Sequence, residues 1–148
     1  MCALRLSTGL RDGMMGTSTL KEELNGGVLD IFTGSQPASA NYIETGTKLV
    51  RISTSAGTGS TTGLVFGTAG TGILPKSASD WKGTVSVAGV AGWFRFYGTS
   101  GTTGTSSTAI RMDGAIGVSG ADLNLSHTSL TADSTLTVST FSITQPAE

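Results

Sequence analysis

This chain has very few of the residues that catalysis and covalent bracing draw on. One cysteine, Cys2, permits no internal disulfide, and one histidine, His127, leaves any nucleophile a single imidazole base to work with. Charged residues number 19 of 148, nine basic and ten acidic, and they are spread evenly along the chain. The net charge of −1 provides no basic stripe to neutralise phosphates, which argues against a nucleic-acid partner. No apolar run approaches the roughly 20 residues that span a bilayer, so no membrane partner is expected. Residues 1–6, MCALRL, lack the apolar stretch of a signal peptide, and the chain reads as made in a cytoplasm and soluble there. The acids occur singly, so titratable groups are not expected to converge as an active site requires. No enzymatic activity, metal or cofactor is expected.

What the chain does have is glycine, serine and threonine: 22, 19 and 24 of them, 65 residues in all. Threonine's branched β-carbon suits a pleated sheet, and glycine and serine suit the tight turns between strands. At 148 residues the chain has a natural single-domain length, able to bury roughly two thirds of its unfolded surface. The expectation is a structural or binding β-protein.

The first 27 residues differ from the rest. They hold three of the four methionines (Met1, Met14, Met15) and the only dense helical signal. Thr19 and Glu22 have capping-box spacing, and Gly26-Gly27 supplies a stop after Leu24-Asn25. A second short helix is predicted from Ser7 or Thr8 toward Met15, weakened by Gly9, Gly13 and Gly16. Residues 1–27 therefore read as a helical arm or cap that makes inter-subunit contacts rather than core contacts alone, with Met14 and Met15 as adaptable interface candidates.

From Val28 the hydrophobic period changes to two, and residues 28–148 read as a β-sandwich or jelly roll. Strands are predicted at residues 28–32, 48–54, 64–66, 84–87, 92–97, 109–116, 123–125 and 134–143, with Val85 and Val87 both facing inward. Glycine-rich loops are expected at 55–63 and 100–108. The last strand carries a register change: Leu136 and Val138 share one face, Phe141 and Ile143 the other. A bulge or bend near Ser139-Thr140, with the strand serving two sheets, accounts for this pattern. Residues 92–97, GWFRFY, give the strongest strand signal, with Phe94 and Phe96 on the core face. On the other face stand Trp93, Arg95 and Tyr97. Exposed, they would form an interface or a sugar-stacking platform; packed beneath the N-terminal helices, they would be core.

No catalytic or ligand motif stands out. There is no G-x-S-x-G elbow, no phosphate-loop spacing and no calcium-loop density of ligands around Asp113 and Asp122. His127 continues the alternation Leu123, Leu125 and reads as a sheet-edge histidine.

Several stretches together carry a resemblance: LSTGLRD at 6–12, LNGGVLDIFTGSQPASA at 24–40, AGWFRFY at 91–97 and RMDGA at 111–115. The chain resembles a group of small structural proteins of tailed bacteriophages and prophages, of the capsid cement or decoration type. The resemblance implies a homo-oligomer on the virion exterior that binds the major capsid protein and stabilises its lattice, with no site residues to carry over. Many weak contacts would act together through avidity. The alternative is a tail, neck or fibre-associated virion module that binds glycans through Trp93 and Tyr97. The chain shows neither heptads nor an internal repeat of the kind fibre modules use to trimerise.

Overall fold

The computed structural model describes residues 4–54, 63–99 and 102–145. Most of the loop expected at 55–63, residues 100 and 101 of the next loop, and Met1 to Ala3 lie outside the described residues. The chain opens with β1 (Arg5–Leu6) and two helices, α1 (Thr8–Gly16) and α2 (Leu20–Leu24). Strands β2 (Val28–Thr33), β3 (Lys48–Ile52), β4 (Ile73–Pro75), β5 (Lys82–Thr84), β6 (Gly89–Tyr97) and β7 (Arg111–Gly117) follow. The chain closes with β8 (Leu123–Asn124), β9 (Ser129–Leu130), β10 (Thr135–Thr137) and β11 (Ser142–Thr144). The protein is mainly β.

Both helices start where local chemistry dictates. Ser7 caps α1, its hydroxyl accepting from the Leu10 N–H, and it also donates to the Ala109 carbonyl at 2.7 Å. Thr19 and Glu22 close the capping box reciprocally, with the Thr19 N–H reaching the Glu22 carboxylate at 2.7 Å. Gly26, at φ +82°, ends the helical segment as only a residue without a Cβ does readily. Thr19→Ala is expected to cost about 1 kcal/mol, the usual loss of a cap, measurable by thermal denaturation.

The main sheet has the order β1-β7-β6-β2-β3, with β8 added to β7 in parallel and β9 to β6. Facing it are two short antiparallel pairs, β10-β5 and β11-β4, in a sandwich-like arrangement. Cross-strand partners put Val50, Ile52, Leu29, Ile31, Phe94, Phe96 and Met112 on the inner face. There they meet Phe66, Trp81 and Phe141, with ring centroids 5.3 Å apart for Phe66–Trp81, 5.5 Å for Phe66–Phe96 and 5.6 Å for Phe94–Phe141. The register change in the last strand is real: β10 pairs with one small sheet and β11 with the other. As a result Leu136, Val138, Phe141 and Ile143 are all buried.

Three expectations need correction. The N-terminal segment is not an arm standing off the domain: β1 pairs with β7, and Leu10 and Leu24 are fully buried in the shared core. Val87 is 44% exposed, because the chain bends after Val85 to let the Ser86 N–H reach the Leu49 carbonyl. Residues 64–66 contribute only isolated bridges, Leu64 to Gly27 and Phe66 to Lys76.

Candidate functional site

The outer face of the main sheet carries a row of charge. Aligned cross-strand, Arg51 of β3, Asp30 of β2, Arg95 of β6, Asp113 of β7 and Arg5 of β1 alternate in sign across five strands. Opposite charges on neighbouring strands attract, and the guanidinium fork matches a carboxylate in two bonds at once. Arg51 grips Asp30 at 2.7 and 2.8 Å, and Arg95 grips Asp113 at 2.6 and 2.8 Å. Lys48 adds a looser contact to Asp30 at 3.9 Å. Asp30, Arg95 and Asp113 are all at most 1% exposed.

The cover is the segment 34–47, which joins β2 to β3 and is held by polar ties. The Arg95 guanidinium donates to the Tyr42 carbonyl at 2.9 Å and to Glu44 at 3.0 Å. Tyr97 donates its hydroxyl hydrogen to Glu44 at 2.7 Å, and the Gly104 N–H reaches the other carboxylate oxygen at 3.1 Å. Trp93 donates its indole N–H to the Thr45 carbonyl and stacks on Phe32 with centroids 4.6 Å apart. Asn41 accepts from the Thr8 N–H at the start of α1 and so ties the cover to the helices.

Arg111 lies in the same layer, fully buried, its guanidinium 5.9 Å from the Tyr97 ring centre. It donates to the carbonyls of Ala40 and Thr102, while its Nε has no hydrogen-bond partner among the described residues. Two guanidiniums, Arg95 and Arg111, thus balance two carboxylates, Glu44 and Asp113, in one covered space.

The titration of these groups follows from burial against pairing. Burial alone would raise the Glu44 carboxyl, but bonds from Tyr97 and backbone N–H groups, together with Arg95, hold it below the ordinary carboxylate range. Burial pushes Asp113 up, and the two bonds from Arg95 only partly offset it. Burial, and then Glu44, raises the Tyr97 phenol. Burial, and then the neighbouring Arg95, lowers Arg111.

This arrangement corrects two sequence expectations. The singly scattered acids do converge, because strand order brings Asp30, Asp113 and Glu44 into one layer. Trp93, Arg95 and Tyr97 are also not an exposed interface: they are 0, 0 and 3% exposed, covered by residues 34–47 rather than by the helices. One signal pointed to the row. Four of its five charges interrupt an apolar strand: Asp30 within VLDIF, Arg51 within LVRI, Arg95 within WFRFY and Asp113 within IRMDGA. Chemically the layer is closed, since each carboxylate in it is engaged by at least one cation. His127 is exposed and shares a hydrogen bond with the neighbouring Ser126 hydroxyl, at 3.0 Å. Among the described residues no group of three His, Cys, Asp or Glu side chains could hold a metal ion.

The methionine candidates lie elsewhere. Met14 is half-buried and lines an open apolar groove of about 460 Å³ with Leu20, Ile73, Leu74 and Ile143. Met15, one position on, is 86% exposed. Comparison with known protein families, curated proteins and solved structures gives no match.

Proposed function

We propose that this is a structural virion protein of the capsid cement or decoration type, binding the major capsid protein and copies of itself on the exterior of a bacteriophage particle. The observation that carries this reading is the closure of the charged layer. The most concentrated set of ionisable groups in the described fold is paired and covered, which suits a scaffold better than a reaction centre. The open feature is instead the apolar groove beside exposed Met15, a surface suited to docking protein. The virion setting rests on the resemblance of the four sequence stretches. Glycan stacking on Trp93 and Tyr97, part of the tail-module alternative, finds no support in a covered face.

The test uses the groove. Ile73→Asp, at a position 39% exposed in the short strand β4, is expected to cost the subunit about 1 kcal/mol, the span of strand propensities, and to leave it folded. The same variant is expected to lose retention on purified capsids. Full retention would remove the groove from the interface. Gel densitometry of virions supplies the independent check. A band comparable in copy number to the major capsid protein fits a cement role, whereas a trace band places the chain in the neck or tail.

A further inference from the structure

Residues 42–47 differ from the rest of the fold in how they are held. None of their side chains is buried, and Tyr42 and Ile43 point outward at 54 and 59% exposure. Their attachment to the sheet is polar: the Tyr42 carbonyl to Arg95, Glu44 to Arg95 and Tyr97, the Thr45 carbonyl to Trp93, and Thr47 to Thr33. The aromatic core lies on the opposite face of the sheet and contributes nothing to this attachment. A segment with none of its own side chains buried can open at a cost below that of global unfolding, here the loss of its polar ties and the exposure of Trp93 and Tyr97 beneath it. Glu44 also ties down a second element, since its other oxygen holds the Gly104 N–H.

We infer that residues 42–47 form a charge-latched strap, with Glu44 as the latch, that opens locally in acid and uncovers Trp93, Arg95 and Tyr97 while the sandwich stays folded. The groups facing Glu44 are Arg95 and Tyr97 of β6 and the Gly104 N–H of residues 102–108. Arg111 and Asp113 of β7 lie behind them. Protonation removes the negative charge that both Arg95 and Tyr97 address and roughly halves the strength of bonds to it. The sign is fixed by the direction of each shift. A carboxyl held below its ordinary range contributes stability above that range, and loses it as pH falls through the folded value. Asp113, pushed up by burial, works in the opposite sense: its protonation relieves a buried charge and does not release the strap. Tyr97, raised, and the arginines keep their protons throughout.

Amide hydrogen exchange on the full chain at neutral pH tests the latch. Glu44→Gln is expected to speed exchange about tenfold at residues 41–47 and 104–106, with β2 and β6 unchanged. Unchanged exchange at 41–47 would overturn the proposal, and so would loss of protection spread through β2 and β6. A second measurement isolates the pH dependence. In a Trp81→Phe background Trp93 is the sole tryptophan, and its quenching by acrylamide is expected to hold steady from neutral pH down to about 4.3, the ordinary glutamate value, and to rise only as pH falls below it. Adding Glu44→Gln should flatten that dependence. Quenching that does not respond to pH when Glu44 is present also sinks the idea, and if the Trp81→Phe background fails to fold, the exchange result decides.

Discussion

Phe96→Ala is expected to destabilise the protein by about 3–5 kcal/mol, the usual loss for a large buried aromatic. Phe96 is fully buried where the two layers meet, its ring tilted 5.5 Å from Phe66 and 6.0 Å from Trp81. Truncation leaves a cavity that surrounding rings cannot close without abandoning their edge and tilted contacts. The loss is a large share of the roughly 5–15 kcal/mol that holds a whole domain. Trp93→Ala, on the other face, is expected to fall in the same range, because Trp93 is equally buried and stacked on Phe32. Chemical denaturation of both variants decides the matter. A Trp93→Ala protein as stable as the native chain would mean that the outer face is not sealed as described.

Arg95→Met is the second large effect expected, again about 3–5 kcal/mol, for a different reason. The substitution preserves much of the side-chain length but strands Asp113 in a covered layer without its guanidinium, and Glu44 and the Tyr42 carbonyl lose a donor as well. The deficit is expected to shrink as pH is lowered, because an uncompensated buried carboxylate takes up a proton well above its ordinary range. Pairing the change with Asp113→Leu should recover most of the loss, since a buried ion pair replaced whole by apolar groups is often neutral in stability. A double variant no better than the single one, by denaturation at neutral pH, would show that packing rather than charge pairing dominates at this position.

The parts of the fold that were legible in the sequence are those decided locally. Thr19 and Glu22 form the capping box their spacing announces, because the motif needs only its own four residues. The mismatch of Leu136 and Val138 with Phe141 and Ile143 could be read because alternation records which face each residue takes, and burying all four requires a bend. The charged layer was not legible, since its members lie on five strands spread from Arg5 to Asp113 and meet only once strand order and register exist. Asp30 and Arg95, 65 positions apart in sequence, sit side by side for a reason no local window contains. The exposed side of Val87 was misread because the periodic pattern continues through a bend that a backbone bond to Leu49 imposes. The covering role of residues 34–47 was hidden for a similar reason. They look like an ordinary polar connection, and only the cations beneath them give their carbonyls a task.

The alternating row also works as a check on strand alignment during folding. A strand that slips by one residue turns its charge into the aromatic layer, where nothing can solvate it. A slip of β7 by two keeps the charge on the outer face but sets Asp113 beside Trp93 or Tyr97 instead of Arg95, leaving a guanidinium and a carboxylate each without a mate. Threonine and valine alone would tolerate such slips in a chain so rich in glycine and serine, because their side chains differ little from one position to the next. The charges make misaligned sheets expensive, so a sequence of low complexity still arrives at one arrangement.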